Sequence, residues 1–335
     1  MLLSIIIVNY NSGALILDCL QSAELDLFDL DKIEWIVVDN SSNQADKNLV
    51  TTAFPMVQWT DMEYNAGFAR ANNRGIELSK GQLVLLLNPD TLLQPAVVMA
   101  MANELLQSNL VAAGVQLVHL DGSPQFSGSH FMLGGLNHLL PLPYWGALLK
   151  KVAALLIHEK PAFIEAPDYA EVDWISGAFL MVKKEAIQKA GVLDPEFFLY
   201  AEEVEWCARL GNYGKMAIFG QYKIVHLIGQ SIQEAAEAED NSYTNLTDKK
   251  GLQLMVSNHL RIRKQYGIIW FLFQLINYTW TIPVYLVCGM LELIWNRKSP
   301  LQIVKPWWGF TKNIMELWLI APIIIARKPH FYKYL

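Results

Sequence analysis

The sequence predicts an α/β protein with a Rossmann-like, mostly parallel sheet flanked by helices, followed by a helical C-terminal region. Four apolar runs in the first 90 residues each stop at small polar residues: Ser4–Val8, Trp35–Val38, Val57–Trp59 and Leu83–Leu87. Continuous apolar runs, rather than alternating ones, are typical of strands that are buried on both faces. Helical stretches lie between them at Leu15–Gln21 and Phe68–Leu78, and this β-α-β-α order indicates an open, doubly wound sheet.

The composition narrows the class of protein. Of the 335 residues, 53% are hydrophobic and 17% are charged, against about 25% charged in a typical soluble protein. This excludes intrinsic disorder and a nucleic-acid-binding tail, so we expect no nucleic-acid partner. Three widely spaced cysteines, Cys19, Cys207 and Cys288, form neither a disulfide framework nor a zinc spacing, which indicates a reducing compartment. Because Met1–Val8 lacks a basic start and resembles a strand, we expect no signal peptide.

The predicted strands end in residues that can bind a ligand. In open α/β sheets ligands bind beyond the carboxyl ends of the strands, and here those ends supply Asn9, Tyr10, Asp39, Asn88 and Asp90. Their carboxylates and amides can hold a nucleobase, a ribose and a metal, although such residues also start turns and cap helices. Neither a Gly-x-Gly-x-x-Gly nor a P-loop pattern is present, which disfavours a Rossmann cofactor and ATP hydrolysis. A diphosphate bound without a glycine cradle usually needs a cation, and Asp90 is the candidate to hold it.

A second group of candidate residues lies between residues 170 and 231. The predicted elements there are a loop and buried strand over Asp173–Val182, a helix over Lys183–Ala190, an aromatic loop over Phe197–Tyr200 and a helix over Ala201–Leu210. The last helix carries Glu202, Glu203 and Glu205 near its start, where acids also favour the helix dipole. Three acids exceed what capping requires, and a carboxylate in this position can act as a general base toward a hydroxyl nucleophile.

The next candidate is a histidine at a strand end. Two short predicted strands, Met216–Phe219 and Tyr222–Val225, end at His226. A lone histidine is usually structural, but near the other proposed ligands it becomes a candidate for holding the metal or the diphosphate. We assign residues 1–235 to the first domain and residues 236–335 to a helical C-terminal extension.

The C-terminal region differs from the rest of the chain in charge and aromatic content. Residues 267–335 carry seven basic and two acidic residues and six of the eleven tryptophans, although the whole chain has a net charge of −6. A basic, aromatic and apolar region on an acidic body indicates contact with an anionic membrane surface. Packing on the body as ordinary core and homodimerisation through this region are the alternatives.

Two segments of this region bear on how it meets a membrane. Gly267–Leu291 contains no charged residue and on length alone can span a bilayer. Polar residues and Pro283 inside it, with basic residues on both sides, favour instead a kinked helical pair that dips into the cytoplasmic leaflet. Leu317–Ala326 is too short to cross and contains Pro322, so we expect it to be interfacial or packed.

Seven short motifs together carry a family resemblance. In chain order they are Ser4–Asn11, Val37–Ser42, Asn65–Ala69, Leu87–Thr91, Ser176–Ala178, Phe197–Tyr200 and His226–Ser231. Each motif alone is weak, but in this order they resemble an inverting family 2 glycosyltransferase of the GT-A fold, in the subgroup that contains bacterial rhamnosyltransferases. The resemblance covers about residues 3 to 231 and implies a GT-A fold for that part of the chain.

The resemblance implies roles for the donor site. The donor-binding residues would be Asn9, Tyr10, Asp39, Asn65, Asn88 and Asp90. Asp39 would bind the nucleobase or ribose. The segment Asn88-Pro89-Asp90 stands where the family has its Asp-x-Asp-type metal motif, and only its last residue is acidic. Asp90, with His226 as second protein ligand, would therefore hold Mg²⁺ or Mn²⁺ on the nucleotide diphosphate.

The resemblance also implies an acceptor pocket and a base. Trp174, Ser176 and Gly177 would line the sugar and acceptor pocket. The family usually has Glu-Asp where this chain has Glu202-Glu203, and the Asp is the catalytic base. Glu203 occupies that position and is our candidate base, with Glu202 as the alternative. The extra methylene moves the carboxylate by more than about 1 Å, a displacement that can lower a rate by about 10²-fold.

The expected function is transfer of a sugar, with rhamnose suggested by the subgroup, from a nucleotide-diphosphate donor to a hydroxyl of a lipid-linked or cell-envelope glycan, with inversion. The expected location is peripheral, on the cytoplasmic face of the cell membrane. One alternative is a polyprenyl-phosphate sugar transferase, against which the Phe197–Tyr200 loop and the Gly229–Ser231 ending favour glycan extension. The other is a non-catalytic sugar-nucleotide-binding scaffold, which Glu203 and the reduced metal motif favour.

Overall fold

The computed structural model describes residues 2–23, 32–156, 163–227, 245–296 and 299–335. It confirms a mixed α/β fold with a mostly parallel central sheet and two long apolar helices in the C-terminal part. The chain divides into two compact units. The first comprises Met1–His130, Pro161–Pro195 and Glu202–Ala238, and the second comprises Phe131–Lys160, Glu196–Ala201 and Glu239–Leu335. The predicted boundary at residues 235–236 lies outside the described residues, and the second unit also includes two segments that precede it.

The first unit contains the sheet and the helices that cover it. Its strands are β1 (Leu3–Asn9), β2 (Ile33–Asp39), β3 (Gln58–Asp61), β4 (Leu83–Leu87), β5 (Thr91–Leu92), β6 (Ala112–Val118), β7 (Gly128–Ser129), β8 (Ala170–Val172), β9 (Trp174–Ile175), β10 (Phe179–Lys183) and β11 (Met216–His226). Its helices are α1 (Gly13–Ser22), α2 (Gln44–Ala53), α3 (Gly67–Leu78), α4 (Pro95–Gln107), α6 (Lys184–Ala190) and α7 (Glu202–Leu210), α5 belonging to the second unit. Every residue of β1, β4 and β6 is buried, as the continuous apolar runs of β1 and β4 predict.

The strand directions bring the functional candidates to one edge of the sheet. The order is β3-β2-β1-β4-β10-β6-β11-β5, with β8 also paired to β11. Strands β1 to β4 are parallel to one another, and β10 is antiparallel to both β4 and β6. Because β11 is parallel to β6, the carboxyl ends of β1, β2, β4, β6 and β11 lie at the same edge, together with the amino end of β10.

The two strands predicted at Met216–Phe219 and Tyr222–Val225 are a single strand, β11. Its register to β6 shifts between Phe219 and Lys223 without ending the pairing. A bulge inserts extra residues into one strand while the ladder resumes beyond them, so the polar interruption that suggested a turn is accommodated within one element. The strand ends at His226, as predicted.

The second unit is helical. Its elements are a 3-10 helix over Leu133–Leu139, α5 (Trp145–Leu156), α8 (Lys249–Tyr266), α9 (Ile268–Asn296) and α10 (Pro300–Ala326). Helix α8 begins at a clear cap, because the Asp248 carboxylate accepts a 2.8 Å hydrogen bond from the Gly251 amide. Gly267, with a φ of 89°, ends α8 and allows the chain to turn directly into α9.

The predicted kinked pair over Gly267–Leu291 is instead one helix, α9, which continues through Pro283. Helix α9 packs against both α8 and α10, and such tertiary packing outweighs the local preference of proline to end a helix. The predicted short run Leu317–Ala326 is likewise only the last part of α10, a helix of 27 residues that includes Pro306 and Pro322. By length and composition, both helices are long and apolar enough to cross a membrane. The 18-residue apolar stretch is 28% buried in α9 and 44% buried in α10.

Candidate functional site

The carboxyl ends of β1 and β2 form the first part of the site. Asn9 and Asp39 are opposite each other in the parallel register, and both are buried. The Asn9 side-chain amide donates to Asp39 Oδ1 at 3.0 Å, while Asn9 Oδ1 accepts from the Ser12 amide at 3.0 Å. The Ser42 amide also donates to Asp39 Oδ1, at 3.1 Å. One oxygen of the Asp39 carboxylate is therefore fixed by the fold, which orients the other for a ligand.

Burial disfavours the ionised form of the Asp39 carboxyl group. Burial raises its pKa above the usual 3.8, and the hydrogen bonds from Ser42 and Asn9 offset only part of that effect. A ligand that donates a hydrogen bond to the carboxylate, as a nucleobase N–H or a ribose hydroxyl does, would compensate for this desolvation.

Asp46 belongs to the same cluster and was missed in the sequence. Its Oδ2 accepts from the Asn9 side chain at 3.1 Å and from the Gly13 amide at 3.2 Å. Gly13 is required there, because a Cβ at residue 13 would lie 2.7 Å from the Asp46 carboxyl carbon. In the sequence Asp46 is simply an acid in the first turn of α2, so nothing marks it as a partner of the first strand.

Asn65 is held at the start of α3 beside the end of β2. Its Oδ1 accepts from the Asn40 side chain at 3.0 Å and from the Gly67 amide at 3.2 Å, and Asn40 Oδ1 accepts from the Ala66 amide at 2.7 Å. The predicted donor-site residues Asn9, Asp39 and Asn65 are thus connected by strand pairing and these bonds. Tyr10 lies in the turn after β1 with 44% of its side chain exposed.

The second part of the site joins the ends of β4 and β11. Asp90 is 2% exposed, and its Oδ1 lies 3.3 Å from His226 Nε2. The Asn88 side-chain amide lies 3.4 Å from the same ring nitrogen. Among the described residues Asp90 Oδ1 has no hydrogen-bond partner. Asp90 and His226 meet because the next residue after Asp90, Thr91 of β5, pairs antiparallel with His226 at the end of β11. The two predicted metal ligands therefore face each other.

The third part of the site is the turn before β10. The Asn88 amide donates to Ala178 O at 3.1 Å, which ties this turn to the end of β4. Gly177 faces the start of α7, since a side-chain carbon at residue 177 would lie 3.5 Å from the Phe68 ring and 3.7 Å from Glu203 Cβ. The turn at Ser176–Ala178 is thus hydrogen-bonded to the Asn88-Pro89-Asp90 loop and lies beside the Cβ of the candidate base.

The two candidate bases differ in exposure. Glu202 is 2% exposed, whereas Glu203 is only partly buried. A base must reach an acceptor that enters from solvent, so this difference favours Glu203. The third acid of the helix, Glu205, forms a two-pronged ion pair with Arg209 at 2.8–3.1 Å, which identifies it as structural.

Trp174 and Ser176 lie on a small second sheet. Strand β9 pairs with β7 through Ser129 opposite Trp174, and the Ser176 amide donates to Ser127 O at 2.9 Å. The Trp174 ring contacts the ring of Phe126 with centroids 5.6 Å apart. Phe126 was not singled out in the sequence, yet it is 43% exposed and extends the aromatic surface beside the turn.

The site therefore combines a buried carboxylate at a sheet edge, a carboxylate–imidazole pair and a partly exposed glutamate. The part of the chain that the structure describes contains no group of three or more His, Cys, Asp or Glu side chains that could hold a metal ion. Asp90 and His226 could supply two ligands only, which suits a cation whose remaining ligands come from a bound diphosphate and water.

The structure is a mixed α/β fold of the GT-A type with a mostly parallel central sheet. Residues 4–160 match the family model "Glycosyl transferase family 2". The chain therefore carries a domain of glycosyl transferase family 2.

Curated relatives carry names consistent with that family. The chain is 27% identical over 217 residues to the "Low-salt glycan biosynthesis hexosyltransferase Agl10" of Haloferax volcanii, covering 62% of this chain and 61% of the relative. It is 24% identical over 202 residues to an "N-acetylglucosaminyl-diphospho-decaprenol L-rhamnosyltransferase" of Mycobacterium tuberculosis, covering 56% and 64%. It is 26% identical over 198 residues to the "dTDP-rhamnosyl transferase RfbF" of Shigella flexneri, covering 58% and 60%. The matches span less than two thirds of each relative.

Solved structures share the fold. The mannosyltransferase PcManGT from Pyrobaculum calidifontis, in complex with GDP-Man and Mn²⁺, superposes with a TM-score of 0.53 at 14% identity, covering 98% of this chain and 88% of that one. TarS 1–349 from S. aureus gives a TM-score of 0.50 at 12% identity, with the same coverage of both chains.

Proposed function

We propose that this protein transfers a hexose-type sugar, rhamnose in particular, from a nucleotide-diphosphate donor to a hydroxyl of a lipid-linked or cell-envelope glycan, with inversion. One observation carries the proposal: the Ser176–Ala178 turn is hydrogen-bonded to Asn88 and lies beside Glu203. The loop that would hold a cation on the departing diphosphate and a group that accepts a proton from the nucleophile therefore adjoin one turn. Single displacement at an anomeric carbon requires both groups.

The donor would occupy the edge formed by β1, β2 and β4. Asp39 Oδ2 would accept a hydrogen bond from the nucleobase or ribose, and Asn65 would support the same end of the nucleotide. Asn9 keeps the Asp39 carboxylate in place through its 3.0 Å bond. The diphosphate would then lie toward Asp90, at the end of the adjacent strand.

The pair formed by Asp90 and His226 fits a divalent cation such as Mg²⁺ or Mn²⁺. A buried carboxylate oxygen without a hydrogen-bond partner among the described residues, 3.3 Å from a ring nitrogen, is a suitable donor pair. Adjacent ligands of an octahedral ion with bonds of about 2.1 Å lie about 3 Å apart. When bound, the cation would stabilise the negative charge that develops on the departing nucleotide diphosphate.

Glu203 would remove the proton from the acceptor hydroxyl as that oxygen attacks the sugar. The aromatic pair of Trp174 and Phe126 would bind a sugar ring of the acceptor, because flat apolar faces stack on aromatic rings. Attack from the face opposite the diphosphate gives inversion in a single step. Positioning of two substrates on one turn contributes much of the rate.

The helical unit bears on both the acceptor and the cellular location of the protein. Helices α9 and α10 expose large apolar side chains, including Ile269, Trp280 and Leu319, and α10 carries Lys305 and Lys312. This supports peripheral binding to the cytoplasmic face of a membrane, where a lipid-linked acceptor is available. The relatives named for decaprenol-linked and low-salt glycans support the same acceptor class.

The test is sugar transfer by Asp90→Asn and Glu203→Gln. Each should lower kcat by at least about 10²-fold, since removal of a general base, or of a ligand of the cation that neutralises the diphosphate, has effects of that size. Matched controls are Glu185→Gln, an exposed acid in the first turn of α6, and Asp168→Asn, an exposed loop acid. The assay is product formation from a panel of nucleotide sugars with a lipid-linked acceptor, with folding checked by thermal denaturation. Normal turnover in both site variants would refute the assignment.

A further inference from the structure

The Gln125 side chain contacts His226, the histidine of the proposed cation site. Gln125 is 5% exposed, and its side-chain amide nitrogen donates to the backbone oxygen of His226 at 2.6 Å. The Gln125 side-chain oxygen lies 2.9 Å from His226 Nδ1. One amide thus contacts the main chain and the ring of the same histidine.

These contacts fix the orientation of the amide. A backbone carbonyl oxygen can only accept, so the group that faces His226 O must be the Gln125 NH₂. The other hydrogen of that NH₂ faces His119 Nδ1, at 3.1 Å. The Gln125 oxygen, which can only accept, is therefore left to face the His226 ring.

The amide in turn fixes the tautomer of the ring. An acceptor 2.9 Å from Nδ1 requires a hydrogen on Nδ1, which in the neutral imidazole leaves Nε2 with a bare lone pair. That lone pair faces Asp90 Oδ1 at 3.3 Å and the Asn88 side-chain amide at 3.4 Å. Two lone-pair-bearing atoms at this separation repel each other unless a cation or a proton lies between them.

Gln125 is itself held by a second buried glutamine. Its backbone amide donates to Leu117 O at 2.8 Å, and its backbone oxygen accepts from Gln116 Nε2 at 2.7 Å. Gln116 is fully buried, and its own oxygen accepts from the Ala166 amide at 2.7 Å. This network connects the end of β6 to the ring of His226, so the ring orientation is set before any ligand binds.

We propose that Gln125 is a positioning residue that holds His226 in the Nδ1–H tautomer and so keeps Nε2 available as a ligand for a divalent cation shared with Asp90. This inference rests on the proposed function, which assigns the cation to that pair. Without the Gln125 oxygen, the ring gains by moving its hydrogen to Nε2 and donating to Asp90, an arrangement that excludes the cation. Residues that orient a metal-binding histidine in this way typically alter metal affinity by about 10- to 100-fold when replaced.

The first measurement needs no variant. Long-range ¹⁵N–¹H NMR of the wild-type protein at about pH 8.5, above the usual titration range of imidazole, reports which ring nitrogen carries the hydrogen. The His226 resonances are assigned by their loss in His226→Gln. We expect the hydrogen on Nδ1. A hydrogen on Nε2 in the metal-free protein overturns the proposal.

The second measurement is Mn²⁺ affinity, by electron paramagnetic resonance with a nucleoside diphosphate present. Gln125→Met, which keeps the volume and removes both polar atoms, should raise the Kd for Mn²⁺ by about 10- to 100-fold and move the hydrogen to Nε2. His119→Ala, which removes only the other partner of the amide, should change the Kd by less than about threefold, near the precision of such comparisons.

The outcomes separate this inference from the function on which it rests. Equal Mn²⁺ affinity in wild type and a folded Gln125→Met overturns the role of Gln125 and leaves the proposed function intact. No Mn²⁺ binding by the wild type overturns the metal role in the proposed function, and the present inference with it. Weaker binding together with a tautomer change supports both.

Discussion

Asp39 lies at the carboxyl end of β2, where it is 5% exposed and accepts hydrogen bonds from Asn9 and Ser42. Burial raises the pKa of its carboxyl group above 3.8, so the folded state binds a proton more tightly than the unfolded state does. Ionisation therefore destabilises the fold, and stability is lost as the pH rises from the unfolded pKa through the folded one. Such a residue is retained where its charge serves a ligand.

Asp39→Asn should consequently raise stability at neutral pH and weaken donor binding. The asparagine oxygen can accept from Asn9 and Ser42 without carrying a charge, so the variant should have a higher Tm than wild type at pH 7. The difference should disappear below the ordinary Asp value of 3.8. The measurements are denaturation at several pH values and the Kd of a nucleoside diphosphate. Asp168→Asn, at an exposed loop acid, is the control, and an equal gain there would contradict the role of burial at Asp39.

At the scale of single residues, the sequence indicated the side chains at strand ends. It did not indicate the residues that hold those side chains in place by hydrogen bonds. Asn9, Asp39 and Asp90 were recognisable because each follows an apolar strand. Gln125 and Asp46 were not, since their partners lie 101 and 37 positions away and neither has a local signal. Hydrogen bonds between distant segments depend on the packing of the sheet, which local sequence patterns do not reveal.

At the scale of elements, apolar runs predicted the strands well. Leu83–Leu87 coincides with β4, and β1 and β2 extend the predicted runs by one or two residues at each end. The errors occurred where tertiary structure overrides a local break, as in the bulge of β11 and at Pro283 in α9. A turn-forming residue indicates only the local preference of the backbone. A strand or helix that packs against neighbours on both sides can continue through one such residue.

The loop that enters α7 stores backbone strain next to the candidate bases. Tyr200 and Ala201 have φ values of 72° and 65°, in the left-handed region that disfavours residues with a Cβ. Ala201→Gly removes that penalty and should stabilise the protein by about 0.5–1 kcal/mol, after the entropy that glycine adds to the unfolded chain.

The control is the same substitution at an ordinary helical position. Ala208→Gly in α7 should destabilise by about 1 kcal/mol, because glycine is a poor helix former. Chemical denaturation of the two variants should therefore give shifts of opposite sign. Shifts of the same sign would show that Ala201 carries no strain.

At the scale of the whole molecule, the sequence predicted an α/β part followed by helices, but not which segments join each unit. Residues 131–160 and 196–201 belong to the helical unit although they precede its main part. Within that unit Phe197 pairs with Tyr332, whose amide donates to Glu196 O at 3.0 Å and whose side chain is 1% exposed. Long-range contacts of this kind have no periodic signature, so the sequence alone predicts a contiguous division of the chain.

The proposed membrane role belongs to the helical unit and predicts binding to anionic vesicles. Trp280 and Leu319 are 55% and 74% exposed on α9 and α10. Because full burial of such side chains contributes about 1.5–3 kcal/mol each, Trp280→Ser with Leu319→Ser should weaken binding at least about tenfold. Leu120→Ser, at a residue 71% exposed in the first unit, should leave binding unchanged. Co-sedimentation with vesicles, with and without anionic lipid, measures the effect. If the double variant binds as wild type but dimerises more weakly in sedimentation velocity, the apolar surface serves a second copy of the chain rather than a membrane.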